Sequence, residues 1–287
     1  MSGAADFEAH RPRLVRLAYR MLGGIAEAED VAQDAWLRWQ GADRDQIADP
    51  AAWLMRTATR LCLDRLRAEK TRREAYRGPW LPEPLIEDLA DAPLERAEDV
   101  SVAFLLALER LSPLERAVFL LHDVFGADYA AVAETLGRSE AACRQLALRA
   151  RDHVRDTRPR FSVGQEEAAR LALAFMDAAR NNDLESLRNL LAEDAVLITD
   201  GGGKRSAALR PMVGRDDILA LFKGLQWRAN WLATPKVRLV RVNGYLGAIL
   251  DTEEGPITVA FQPGDGGRLA AIYMVVNPEK LGRVAPA

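Results

Sequence analysis

The chain has 287 residues, 49% hydrophobic and 28% charged, the balance of a globular protein of two or three domains rather than a disordered or fibrous one. Its net charge of −3, from 39 basic and 42 acidic side chains, excludes a globally basic nucleic-acid binder and directs attention to local charge. No apolar run reaches the ~20 residues of a membrane span, Met1–His10 lacks the basic start of a secretory signal, and Cys62 and Cys143 form no CxxC pair. A disulfide framework and a structural zinc site are therefore not expected, and a reducing cytoplasm is.

Residues 7–157 read as almost wholly helical. Leu14, Leu17, Ala18, Met21 and Leu22 recur on one face of a helix, which Gly23-Gly24 stops. A second helix is expected over 26–40, then a polar loop over 41–49. Pro50 sits where a helix can start, since its missing N–H is not needed there, and a third helix carries Trp53, Leu54, Leu61, Leu63 and Leu66 to residue 70. Residues 78–99 hold Pro79, Pro82, Pro84 and Pro93, with acids at 83, 87, 88, 91, 95, 98 and 99 against Arg96 alone. That composition reads as an acidic linker. Helices resume over 99–109, 113–124, 128–136 and 139–156, with a second break at 159–164.

The pattern then becomes mixed. Helices are expected over 165–181 and 184–191, and β-type runs at 195–199, 236–242, 245–250, 257–262 and 269–276. Asn243-Gly244 between two of these runs is a hairpin signal, because both central positions of a type I′ turn need positive φ. Two helices followed by an antiparallel meander indicate an α+β domain. The expected fold class is therefore multidomain, all-α in front and α+β behind.

Charge concentrates on two helices. Residues 51–77 carry Arg56, Arg60, Arg65, Arg67, Lys70, Arg72, Arg73 and Arg77 against three acids, and residues 138–160 carry seven arginines against three. Two such surfaces flanking an acidic linker make an electrostatic footprint for phosphates, with solvated helix faces as the alternative. The second has more behind it. Residues 129–139 (YAAVAETLGRS) have the layout of a helix-turn-helix, in which Gly137 takes the turn and Ser139 caps the next helix. That helix begins with Ser139, Glu140 and Arg144 at the end that enters a major groove, and Arg144, Gln145 and Arg149 can meet bases or phosphates. On the helix 26–40, by contrast, Asp30 and Asp34 lie one turn apart, a repulsion that a basic protein partner would relieve.

The order of these pieces resembles that of bacterial sigma factors of the extracytoplasmic-function type. Residues 28–39 (AEDVAQDAWLRW) look like the helix that binds core RNA polymerase, 50–67 (PAAWLMRTATRLCLDRLR) like the −10 recognition helix, and 111–120 (LSPLERAVFL) with the helix-turn-helix like the domain that reads the −35 element. The resemblance implies that Asp30, Gln33, Asp34 and Leu37 face the polymerase β′ clamp, with a further contact to the β flap. It implies that Arg56, Arg60, Asp64 and Arg67 contact the −10 element, and that Ser139, Glu140, Arg144, Gln145 and Arg149 contact the −35 element. Arg60 stands where the family often has asparagine. The loop 40–49 would capture a flipped base, but it holds no aromatic wedge, so no residue in it is assigned.

Three further segments narrow the group. Trp80, Leu81, Pro82, Glu83, Pro84 and Leu85 in the linker, Asp200, Gly201, Gly202, Gly203 and Lys204, and Asn277, Pro278 and Lys280 resemble the motifs of the group (ECF41) that carries a C-terminal SnoaL-like domain of NTF2-like fold. In that group the appended domain is believed to regulate the sigma factor in cis, in place of a separate anti-sigma protein. The implied boundaries are sigma region 2 over 1–77, linker over 78–99, sigma region 4 over 100–160 and the SnoaL-like domain over 161–287. The expected arrangement has the linker and the DGGGK loop docked together, spacing the two DNA-reading domains, with Asp200 and Lys204 as an ion-pairing set. The linker's carboxylates would thread the polymerase channels. No cofactor, metal site or catalytic residue is expected, and no membrane association; the SnoaL-like cavity leaves room for an unidentified small molecule. The alternatives are a helix-turn-helix repressor and a DNA-binding regulator with a ligand-sensing or cyclase- or isomerase-like domain. Against catalysis, His10, His122 and His153 all precede that domain. Trp227, Trp231, Phe222 and Tyr273 are its candidate pocket aromatics, with core packing as the alternative.

Overall fold

A computed structural model describes residues 3–74, 76–91, 97–157, 163–226 and 236–284. In chain order the elements are α1 (Gly3–Leu22), α2 (Ile25–Gln40), α3 (Pro50–Glu74), β1 (Ile86–Glu87), α4 (Ala97–Val100), α5 (Val102–Glu109), α6 (Pro113–Phe119), α7 (Tyr129–Leu136) and α8 (Glu140–Thr157). There follow α9 (Gln165–Asn181), α10 (Leu184–Leu190), β2 (Leu191–Asp200), β3 (Met212–Val213), α11 (Arg215–Gln226), β4 (Lys236–Val242), β5 (Tyr245–Thr252), β6 (Gly255–Pro263), β7 (Leu269–Val275) and α12 (Pro278–Leu281). Two compact units result, one from residues 1–75 and 105–158, the other from 76–104 and 159–287. Among the described residues no helix is long and apolar enough to cross a membrane. Trp227, Trp231, Pro93, Arg158 and Arg160 lie outside the described residues.

In the first unit the periodic stripe of α1 is core: Leu14, Leu17, Ala18 and Met21 are fully buried. Ala28, Ala32 and Ala35 on α2 are buried beside Val31 and Trp39, and the Trp39 ring lies 5.6 Å from that of Trp53 on α3. Asp49 starts α3 by accepting from the Ala52 N–H at 3.1 Å, so a side-chain cap and Pro50 act together. Ser112 and Glu115 form a reciprocal capping box at the head of α6. The helix expected over 113–124 instead loosens after Phe119 into a wide turn, in which the Phe125 N–H reaches back to Leu120 O. Arg116, almost wholly buried, donates from Nη1 to Met21 O at 2.5 Å and pairs with Glu109 at 2.7 Å. The α1–α3 and α5–α8 groups are thereby joined into one unit.

In the second unit the strands run in the order β1-β4-β5-β6-β7-β2-β3. The expected meander is present over β4–β7, and Asn243 (φ 51) and Gly244 (φ 82) make its first hairpin. The sheet is nevertheless mixed, because β2 lies parallel to β7. Its helices cover an apolar core that includes Leu171, Phe175, Leu187, Ile218, Leu219 and Phe261. Phe222 and Tyr273 are both buried, and burial holds the Tyr273 hydroxyl above the ordinary phenol range. The segment read as a linker is, over 76–91, part of this unit: β1 adds to the sheet edge, with Ile86 opposite Val242 and Glu87 opposite Arg241. Pro82 and Pro84 are buried, and Leu81 is completely so, which contributes about 2 kcal/mol.

Candidate functional site

On α2, Asp30 and Gln33 are exposed and Leu37 is 57% exposed, so the solvent face of this helix carries an acid, an amide and an apolar side chain. Asp34 differs from the expectation of an unrelieved acidic face. Arg65 of α3 donates to its Oδ2 at 2.7 Å and to Glu27 O at 2.6 Å, so an internal cation already offsets the repulsion with Asp30.

The −10 candidates divide in the same way. Asp64 and Arg67 form an exposed ion pair at 2.9 Å. Arg56 and Arg60 instead reach α7: Arg56 pairs with Glu134 at 2.5 Å, and Arg60 donates to the Thr135 carbonyl at 3.2 Å and to that of Glu134 at 3.5 Å. The first helix of the helix-turn-helix thus engages two of the four residues assigned to the −10 element.

The helix-turn-helix has the local geometry expected of it. Asp128 caps α7 through the Ala131 N–H at 2.7 Å. Gly137 takes the left-handed conformation at φ 63, open to glycine without steric cost. Ser139 caps α8 through the Ala142 N–H at 3.2 Å. Glu140 and Arg144 pair at 2.5 Å, the Arg144 guanidinium lies 5.2 Å from the centre of the Tyr129 ring, and Gln145 and Arg149 are exposed. Cys62 and Cys143 are buried, and burial pushes the Cys62 thiol up to about 12 and raises that of Cys143, opposite to the shift that makes a reactive thiolate.

The second unit contains the most developed polar site. Asp200, at the end of β2, has no exposure to solvent, and its carboxylate accepts four hydrogen bonds. Oδ1 takes Tyr76 Oη at 2.6 Å and Gly202 N at 3.0 Å, while Oδ2 takes Leu81 N at 2.8 Å and Lys280 Nζ at 2.7 Å. Its backbone carbonyl accepts from Val276 N and Asn277 N. A carboxylate so buried needs this degree of satisfaction. Lys280 also donates to Leu81 O and places its ammonium 4.4 Å from the centre of the Trp80 ring, within cation–π range. Asn277 Nδ2 donates to Tyr76 Oη at 2.9 Å and its Oδ1 caps α12. The expected Asp200–Lys204 set is thus corrected: Asp200 pairs with Lys280, and Lys204 pairs with Glu279 at the surface at 3.0 Å. Proximity in sequence did not decide the partner, because the loop turns Lys204 outward. The turn requires glycine at 202, where φ is +58 and a Cβ would collide with Asn277.

The docked segment is held a second time at its far end. Leu85 N donates to Asn243 Oδ1 at 3.3 Å, Asn243 N donates to Leu85 O at 2.8 Å, and Asn243 Nδ2 reaches Val100 O at 2.9 Å. Arg241 pairs with the buried Glu87 at 3.6 Å and donates to Asp88 O at 2.9 Å. Sequence reasoning missed Tyr76, which lies inside a basic run with no distinguishing neighbour, and saw Asn243 only as a turn residue. It had no signal for Glu87–Arg241 or for Glu134. Among the described residues no group of three or more His, Cys, Asp or Glu side chains could hold a metal ion.

Comparison with known proteins shows that this helical unit with its helix-turn-helix is that of a transcription initiation factor. The model for Sigma-70 region 2 matches residues 7–72, and that for Sigma-70, region 4 matches 101–154. The chain is 40% identical over 290 residues to the ECF RNA polymerase sigma factor SigJ of Mycobacterium tuberculosis (strain ATCC 25618 / H37Rv), spanning 96% of this chain and 92% of that one. It is 32% identical over 228 residues to SigG of the same strain, covering 67% of this chain and 60% of the relative. The crystal structure of Mycobacterium tuberculosis SigJ superposes with a TM-score of 0.80 at 37% identity, over 97% of this chain and 98% of that one. The chain belongs to the extracytoplasmic-function RNA polymerase sigma factors. It joins helical sigma domains to a C-terminal sheet-containing α+β domain, and its task is to bring core RNA polymerase to promoter DNA rather than to catalyse a reaction. The catalytic alternative is not favoured.

Proposed function

We propose that the C-terminal domain regulates this sigma factor in cis by holding residues 76–91, the start of the only chain connection between the two sigma regions. The observation that carries this reading is the Asp200 carboxylate, which takes two of its four donors, Tyr76 Oη and Leu81 N, from that segment. A connector tied down at Tyr76–Leu81 and again at Leu85–Asp88 has fewer conformations than a free one, and so restricts how the two sigma regions are presented. Residues 1–77, 100–160 and 161–287 then act as region 2, region 4 and regulator, in the cytoplasm where the polymerase works and without a separate anti-sigma protein.

Within this scheme Asp30, Gln33 and Leu37 meet the β′ clamp, with Asp34 held in place by Arg65, and region 4 reaches the β flap. Arg56, Arg60, Asp64 and Arg67 serve the −10 element, and Ser139, Glu140, Arg144, Gln145 and Arg149 serve the −35 element. Arg56 and Arg60 must leave Glu134 and Thr135 before both elements are read together. Run-off transcription with purified core polymerase tests the regulatory reading, comparing the full chain with Asp200→Asn and Trp80→Ala. Changed promoter output in chains that still fold is the expected result. Unchanged output in both, with the segment released as judged by limited proteolysis, would remove the proposal.

A further inference from the structure

The helix-turn-helix contains a cluster drawn from both of its helices and from the wide turn before them. Tyr129, the first residue of α7, is half-buried and reaches α8 at two places. Its ring centre is 5.2 Å from the Arg144 guanidinium, within cation–π range. Its hydroxyl accepts from Arg151 Nη2 at 3.2 Å. Arg144 and Arg151 are seven residues apart on α8, two turns and about 10 Å of rise, so one aromatic side chain bridges two arginines of the same helix face.

The ring is itself fixed. The His122 imidazole stacks on it, with 3.9 Å between ring centres and 27° between planes. His122 Nδ1 donates to the Ala127 carbonyl at 2.7 Å, which sets the plane of the imidazole. Asp123 accepts from Arg151 Nε at 2.7 Å, tying that arginine to the same turn. His122 and Asp123 both belong to the wide turn over 120–124, a kind of helix irregularity that recurs at functional sites.

Arg144 is 56% exposed, and its guanidinium also meets Glu140 at 2.5 Å. A solvated arginine samples many rotamers and loses them on binding. Held by a carboxylate of its own helix and a ring from the preceding one, this arginine is aimed before DNA arrives, and the cost of ordering it falls. Reading a base edge needs the planar fork in one orientation, whereas charge alone serves a phosphate contact.

We infer that Tyr129 is a positioning residue for −35 recognition: its ring orients the Arg144 guanidinium toward a base edge without itself contacting a base. The inference rests on the reading of Arg144 as a −35 contact.

The test uses holoenzyme formed with purified core polymerase, and a promoter duplex that the unaltered holoenzyme selects from a pool randomised over the −35 region. Affinity is measured for that duplex and for a set in which each −35 base pair is changed singly. Arg144→Ala should lose discrimination at one or two base pairs, which thereby report on this guanidinium. Tyr129→Leu should weaken discrimination at those base pairs about two- to fivefold, the scale of a partly exposed cation–π contact, and leave the other positions unchanged. Tyr129→Phe, which keeps the ring, should retain the native pattern. In the Arg144→Ala background, Tyr129→Leu should have no further effect at those pairs. Thermal melting checks that the variants remain folded. His122→Ala, which removes the stacked imidazole, should weaken the same base pairs and serves in place of a leucine variant that does not fold. Native discrimination in Tyr129→Leu, an equal loss in Tyr129→Phe, or a loss spread evenly over all −35 positions would overturn the inference while leaving the −35 reading of Arg144 intact. Full discrimination retained by Arg144→Ala would overturn both.

Discussion

Lys280 Nζ lies 2.7 Å from Asp200 Oδ2 across eighty residues of sequence, and Asp200 itself is wholly buried. The pair closes a site to which β2, α12 and the segment around Tyr76–Leu81 each contribute. Removing one partner of a buried pair leaves the other desolvated, at a cost of about 3–5 kcal/mol, whereas removing both costs less. Asp200→Ala should therefore destabilise the chain more than Asp200→Ala with Lys280→Met, a coupling of about 1–3 kcal/mol in urea unfolding. Strict additivity of the two changes would show that the contact contributes little.

Tyr76 gives this site a pH dependence. Burial first, and the hydrogen bond to the Asp200 carboxylate second, hold its hydroxyl above the ordinary phenol range. A phenol in the unfolded chain loses its proton near about pH 10, before the folded one does. The stabilisation is therefore complete below that pH and declines above it. Urea midpoints of the native chain and Tyr76→Phe, compared from pH 8 to 11, should converge as pH rises. A gap that stays constant would contradict this account.

The exposed face of α2 separates binding from stability. Leu37 is 57% exposed, so Leu37→Asp should shift unfolding by less than about 0.5 kcal/mol. Capture of core polymerase should nevertheless fall about tenfold or more, as expected for an apolar anchor at the centre of an interface. Pull-down with purified core enzyme, alongside thermal melting, reads both quantities. Undiminished capture would reassign the face.

The Arg56–Glu134 pair at 2.5 Å holds a −10 candidate against the helix-turn-helix. Glu134 is largely solvated, so release should raise affinity for promoter DNA only about two- to fivefold. The diagnostic feature is a cycle: the gain from Glu134→Gln should vanish when Arg56→Met is already present, because no guanidinium remains to be freed. A gain of equal size in both backgrounds would indicate simple removal of an acid near phosphates.

Sequence alone was sufficient for features governed by neighbours in the chain. The stripe from Leu14 to Leu22, Pro50 at a helix start, the Gly137 turn with its Ser139 cap and the Asn243-Gly244 hairpin each follow from periodicity or a local backbone requirement. Each is present in the structure. Tertiary structure decided which distant groups share a site. Asp200 takes Lys280 rather than Lys204, Asp34 takes Arg65, and Glu87 takes Arg241, while an acidic proline-rich segment that reads as a linker becomes a docked sheet edge. Pairing between groups far apart in the chain depends on which surfaces the fold brings together, and on the need of every buried charge for partners. No local pattern of residues encodes either.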